Sequence, residues 1–366
     1  MRPALKPGLL PVWRNRDTVQ IGIDPRRAVA LTGMRGAGAL LRLLDGSRDR
    51  VQVLAAASDL GMDTGAADRV LSLLAAAGAL DDCPAGGYGA LPAGARARLA
   101  PELATASLAR GDADGGARTL ARRQAARVRV HGASRAGLWI AGMLTAAGVG
   151  LVISTGPAAP RPGPGGSAGP ATPPPDPGSP SDPGPPGRGR RTPRAPAEPP
   201  AAAIQRPRSP RSQPRRCPDL VILADSHRRE LPAALVRHLV PHLAAAAVEA
   251  IGVVGPLVLP GRSACLRCLD LARAERDPAW PLILAQLSAQ ASADPPACDT
   301  VLATMVAAQA VAQALAFIDQ GGRAAAVTNG TLELVLPGWQ WRRRTWQPHP
   351  QCGCRAPGLI PGSASG

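Results

Sequence analysis

Four cysteines in two close pairs offer the plainest chemistry in the sequence: Cys265 and Cys268 in CLRC, and Cys352 and Cys354 in CGC. Thiolates two or three residues apart can turn toward one tetrahedral centre, and two such pairs supply the four ligands of a closed structural zinc site. A closed site binds no substrate. Its role would be to clamp the C-terminal end of the chain to the loop after GPLVLPGRSA, with a stabilisation that can reach roughly 10 kcal/mol. Read alone, the first pair is also a redox C-x-x-C, a reading that needs a helix N-terminus to lower the thiol pKa and leaves the second pair without a role.

A second candidate is the stretch VRVHGASRAGLWIAG, residues 128 to 142, in which a β-branched run meets a glycine-bounded loop and then an apolar helix. In a dinucleotide fold the first glycine permits the tight turn, the second lets backbone approach phosphate, and the third lets helix and strand pack closely. Here Gly132 and Gly137 hold the outer positions and Ser134 replaces the middle glycine. The Ser134 hydroxyl or the Arg135 guanidinium would then meet the anion in place of bare backbone. A Rossmann-type turn with no bound nucleotide is equally open. The next strand, GLVIS, ends on Ser154 and Thr155 without the carboxylate that would hold ribose hydroxyls, which counts against a dehydrogenase.

These groups must be positioned by an α/β domain expected over 127–356, interrupted at 157–216. That stretch holds 20 of the 41 prolines and reads as a disordered insertion. Its ten arginines face only Asp176, Asp182 and Glu198, so it supplies +7 of the formal charge of +16, and nucleic acid is not an expected partner. Aromatics make up 2 % of the chain, so cores must be built from Ala, Leu and Val. Upstream, TVQIGID and AVALT predict a hairpin. Three helical stretches follow at 38–46, 49–61 and 65–80, with Gly46, Gly61 and Gly78 at their C-terminal ends. Together they make a small winged-helix-like α+β domain over 1–82. Residues 83–126 show no sustained period and read as a linker with room for one helix, and 357–366 read as a flexible tail.

No signal-peptide core is present, because Pro7 and Pro11 bracket only three residues. The apolar run 301–318 is interrupted by Thr304, Gln309 and Gln313 and reads as a buried or interface helix, not a membrane span. A cytoplasmic location with free or metal-bound thiols is therefore expected. In the tail, Trp339, Trp341 and Trp346 surround Arg342, Arg343 and Arg344. They could stack bases, but the plainer reading is a strand that packs its indoles under the metal site. The five histidines form no ligand spacing, and His349 is expected to orient the loop before the last cysteine pair.

The order of glycine loop, AAGVGLV, DLVILAD, GPLVLPGRSACLRC, CDTVLATMVAAQAVAQALAFIDQG and terminal cysteine pair resembles the E1-like, ThiF-type adenylyltransferase superfamily, across 127–354 without the insertion. The resemblance implies a Rossmann-like domain that uses ATP and Mg2+ to activate the C-terminus of a small carrier protein or peptide. It places Gly132 and Gly137 under the phosphates, with Ser134 and Arg135 of the same loop beside them as nucleotide contacts, and Asp225 of ADSH, with a one-residue slip, at magnesium. Cys298 stands where members that form a persulfide or thioester carry a cysteine. Pairing of two copies through the 301–318 helix is also implied. The N-terminal module resembles the PqqD-like domains that read leader peptides beside thiazole/oxazole-forming, ATP-dependent cyclodehydratases. Such a domain adds the peptide as a strand to its hairpin edge, with VQIGI in the platform. Two functions follow. One is a leader-peptide-binding scaffold with a degenerate ATP site; the other is an active adenylyltransferase.

Overall fold

The computed structural model describes residues 1–33, 36–83, 93–132, 134–155, 217–224, 229–290, 298–323 and 325–355. The predicted insertion 157–216 and the tail 357–366 lie outside them.

The N-terminal module holds β1 (Pro3–Leu5), β2 (Pro11–Asn15), β3 (Thr18–Ile21), β4 (Val29–Thr32), α1 (Ala37–Leu43), α2 (Arg50–Asp59), α3 (Thr64–Ala76) and β5 (Leu80–Asp82). β2, β3 and β4 form an antiparallel sheet in that order, and β1 pairs with β5. Alternation along β3 sends Val19 and Ile21 inward, where they meet Leu31, Leu40, Val53, Leu71 and Leu74. Helix starts are set by side chains. Asp49 forms a reciprocal capping box with Gln52, and Asp63 accepts from the Ala66 amide.

The stretch expected to be a linker carries two helices, α4 (Ala93–Arg110) and α5 (Ala117–Ala125). Leu99, Leu103 and Leu120 bury together as their own small core. Apolar periodicity misses this pair for physical reasons. Pro101 sits inside α4, and the buried face of α5 is Thr119, Leu120 and Arg123. Arg123 makes a fork of two 2.9 Å bonds to Asp319, so an ion pair stands where a leucine would be sought.

A seven-stranded sheet follows, ordered β12-β11-β10-β9-β8-β6-β7. Its elements are β6 (Arg127–His131), α6 (Arg135–Ala146), β7 (Leu151–Thr155), β8 (Leu220–Leu223), α7 (Glu230–Arg237), β9 (His242–Val248), β10 (Ile251–Val258), α8 (Leu266–Ala274), α9 (Trp280–Gln290), α10 (Thr300–Asp319), β11 (Gly330–Val335) and β12 (Gln340–Thr345). β7, β6, β8 and β9 are parallel, and β9 to β12 continue antiparallel. One core unites Val128, Val130, Ile222 and Leu243 of the strands with Ile140 and Leu144 of α6 and with Leu302, Val306 and Ala310 of α10. α10 is long and apolar enough to cross a membrane by composition. It lies against the sheet with Leu302, Val306, Ala310, Ala314 and Phe317 buried, as a core helix does.

Candidate functional site: a thiolate cluster and a glycine loop

Chain folding brings the two cysteine pairs together. Cys265 stands just before α8 and Cys268 in its first turn, while Cys352 and Cys354 arrive on the segment after β12. All four are buried, and their sulfurs lie within 4.8 Å of one another. Sulfur separations are 3.8 Å for Cys265–Cys268, 3.6 Å for Cys265–Cys352 and 3.5 Å for Cys268–Cys354. A tetrahedron of thiolates about 2.3 Å from a central ion has edges of about 3.8 Å. The donor set therefore fits one metal ion with no vacant position. Hydrogen bonding from Cys265 and from the His349 amide pulls the Cys268 thiol down to about 4, while burial and the Cys268 sulfur push Cys354 up to about 12. One thiolate forms readily and the next resists, a charge imbalance that a divalent cation would relieve.

The surroundings hold this cluster still. Trp346 is buried beside the cysteines, and its indole N–H donates to the Thr331 hydroxyl at 3.0 Å. Arg273 and Arg344 lie over its ring at 5.4 and 5.3 Å. Of the three indoles expected under the metal site only Trp346 is there, with its face covered by the two guanidinium groups; Trp341 packs against the main core of the sheet and Trp339 is exposed. His349 shares a 2.7 Å bond with Glu275 and accepts from the Gln351 amide through Nδ1, which assigns its remaining proton to Nε2. It orients the loop.

The glycine loop lies at the other end of the core. Gly132 has φ 122°, in the region open to glycine, and a Cβ on Gly137 would sit 3.0 Å from both the Ala224 methyl and the Gly132 carbonyl. The outer glycines thus serve the turn and the helix–strand contact. Ser134 caps α6: its oxygen accepts from the Gly137 amide at 3.2 Å and donates to the Ala224 carbonyl at 3.1 Å. Arg135 donates to the Thr300 hydroxyl at the start of α10, 3.1 Å away. The Ser134 hydroxyl is thus engaged on both sides, while Arg135 is exposed and spends one of its five N–H donors on Thr300. At the strand ends, Thr155 Oγ1 and His131 Nδ1 are 2.9 Å apart and satisfy each other.

Asp225 lies outside the described residues. Cys298 is half-buried, with its thiol 3.6 Å from the Asp299 carbonyl. Burial pushes that thiol up, outweighing Arg135, which acts the other way. This is the environment of an unactivated thiol. Thr300, the residue that holds Arg135, was missed because a hydroxyl opening a helix reads simply as part of its first turn.

The predicted platform strand, β3, is interior to its sheet. Val12 pairs with Gln20 on one side and Val19 with Leu31 on the other. β2, whose opening residue Pro11 masks its strand signal, supplies the third strand. The Gly22 amide donates to Leu10 and the Gly33 amide to Asp17. Antiparallel alternation then turns Pro11 and Trp13 outward on β2, and Ala30 and Thr32 outward on β4. Pro11 has no amide hydrogen and β2 carries a register shift between Trp13 and Asn15, so the regular open edge is β4.

No family model matches the chain, and no curated protein matches it. Solved structures do. A crystal structure of E. coli MccB with AMPCPP and MccA aligns at a TM-score of 0.58 and 12 % identity, over 98 % of this chain and 100 % of that one. The heterocyclase TruD aligns at 0.56 and 15 % identity, over 96 % of this chain and 42 % of that one. A heterocyclase in complex with substrate and cofactor aligns at 0.57 and 13 %, over 94 % and 38 %. The chain spans about two fifths of the heterocyclases. At these identities the likeness is one of fold, and at that level the E1-like resemblance of the motifs is borne out.

Proposed function

We propose that this chain is an E1-like scaffold that binds a peptide through its N-terminal module and presents it to a separate ATP-dependent cyclodehydratase, without using ATP itself. In this reading residues 1–82 are a winged-helix-like leader-reading module, 127–356 the E1-like domain, and the protein is cytoplasmic. The carrying observation is the glycine loop. Ser134, which replaces the glycine that would open the backbone to phosphate, spends its hydroxyl on Gly137 and Ala224, and Arg135 turns one donor to Thr300. The open β4 edge supports the peptide half, since an extended segment can pair there with outward groups of Ala30 and Thr32. MccB was crystallised with MccA and TruD is a heterocyclase, so the shared fold occurs in peptide-handling proteins. Zn2+ is the ion proposed for the four thiolates, as the borderline-soft cation suited to a closed S4 set.

A second reading, an active adenylyltransferase with ATP and Mg2+, draws on MccB, which was crystallised with AMPCPP and with ATP. It would assign Asp225 to magnesium and Cys298 to acyl or sulfur transfer. Calorimetric titration of the zinc-loaded protein with Mg-ATP separates the two. The scaffold gives no binding heat, whereas micromolar affinity overturns it in favour of the enzyme. On the peptide side, Ala30→Pro removes an outward amide without touching the β3 pairing. It should abolish the anisotropy change of a fluorescein-labelled leader peptide; unchanged binding would rule out the β4 edge.

A further inference from the structure

Of the 42 lysine and arginine residues in the chain, one is lysine. Every other basic side chain is a guanidinium, so the exception asks for a geometric reason. Lys6 follows β1 and is 2 % exposed. Its Nζ donates to the Ser107 carbonyl at 3.0 Å, the Ser107 hydroxyl at 2.9 Å and the Asp112 carbonyl at 2.5 Å, with Asp81 Oδ1 at 3.2 Å. The Ser107 hydroxyl in turn donates a hydrogen bond to Asp81 Oδ1 at 2.7 Å. Three ammonium hydrogens thus meet a closed set of oxygens around one point. A planar guanidinium has five donors in a fixed fork and would leave some of them buried without acceptors.

The four oxygens come from β5, from α4 and from the turn after it. α4 and α5 are in turn fixed to α10, because Asp319 takes Arg123 at 2.9 Å and Arg110 at 3.1 Å. Lys6 therefore joins the N-terminal module to the layer that is anchored on the large sheet.

We propose that Lys6 is the latch holding the N-terminal module on α4, and that the only side-chain amine of the chain is consequently a cryptic acylation site, reached by activated acyl groups only when α4 lifts away. On reaction with an N-hydroxysuccinimidyl ester, the amine nitrogen bonds to the acyl carbon and the ester C–O bond breaks. The succinimidyl oxide leaves as an anion, and the two protons lost by the ammonium pass to buffer. In the closed state the chain offers no lysine amine to an activated carbonyl. That consequence matters if the proposed cyclodehydratase partnership holds; the latch itself does not depend on it.

The test uses the full chain with Arg26→Lys as an internal reference, since the Arg26 side chain is 85 % exposed. Native protein is treated with N-hydroxysuccinimidyl acetate and acetylation at positions 6 and 26 is followed by peptide mass mapping. Lys6 should react roughly 100-fold more slowly, because a buried group is modified only through rare opening. Ser107→Ala, which removes one acceptor of Lys6 and the donor to Asp81, should raise the Lys6 rate about tenfold, as loss of about 1.4 kcal/mol would. Comparable rates at both positions in protein with native circular dichroism overturn the proposal. So does an unchanged Lys6 rate in Ser107→Ala. If that variant does not fold, Asp81→Asn, which keeps the hydroxyl, is read in the same way.

Discussion

At the scale of single residues, His242 makes the clearest demand on solution conditions. It is fully buried on β9; its Nδ1 hydrogen is donated to the Val240 carbonyl at 3.0 Å, and Nε2 has no partner among the described residues. Burial holds its pKa down at about 4, against 6.5 in the unfolded chain. Between those values the unfolded state binds the extra proton. The neutral imidazole therefore gives its full stability above about pH 6.5 and loses it as the pH falls toward 4. The loss should amount to about 3 kcal/mol between pH 7 and pH 4. Urea unfolding across that range should show the decline, and His242→Phe should flatten that share of it. Equal slopes in both proteins would remove His242 as the cause. Gly137 is a second residue-scale case. A methyl there meets the Ala224 methyl and the Gly132 carbonyl at 3.0 Å, so Gly137→Ala should cost about 1–3 kcal/mol in thermal or urea unfolding. An unchanged midpoint would mean that the loop has room for the methyl, which the structural role given to Gly137 does not allow.

Among the elements, α10 and the segment after β12 carry the main ties between distant parts of the chain. Asp319 at the end of α10 accepts from Arg123 of α5 and pairs with Arg110 of α4, and its side chain is 6 % exposed. Asp319→Asn leaves two arginines facing a neutral amide and should destabilise by about 3–5 kcal/mol, read from denaturant midpoints. A cost below about 1 kcal/mol would show that the two arginines find water instead. The tail is tied differently. With Zn2+ held by the four thiolates as proposed, a chelator should expose the segment after Trp346 to proteolysis while β6 to β9 stay protected. Readdition of Zn2+ should restore resistance. The Trp346–Thr331 and His349–Glu275 contacts keep the tail close but do not replace the ion, whose absence would leave four buried sulfurs without a common partner.

For the molecule as a whole, the expectation of a pair of E1-like domains through the α10 face is checked by light scattering. A mass of one chain at micromolar concentration would overturn that expectation. At this scale the sequence was legible where the signal is local. The glycine loop, the TVQIGID and AVALT hairpin, the three N-terminal helices and the strand runs around the insertion are set by steric turn rules and by periods of 2 and 3.6. α4 and α5 were not legible as a pair, because Pro101 interrupts the helical signal of α4 and Arg123 is acceptable on the buried face of α5 only through Asp319, far along the chain. β2 was hidden for the same reason: its one proline, Pro11, is tolerated on an edge, and being an edge is a property of the sheet. What the sequence determined by itself is the inventory: two cysteine pairs, a loop with serine for its middle glycine, a single lysine, and the order of elements that resembles an E1-like domain. Only the tertiary structure decided how that inventory is used. It brings Cys265 within 3.6 Å of Cys352 across 87 residues, joins Ser134 to Ala224 and Arg135 to Thr300, and closes Lys6 inside a ring of oxygens. Ligand geometry and burial depend on groups far apart along the chain, and no local pattern encodes where those groups meet.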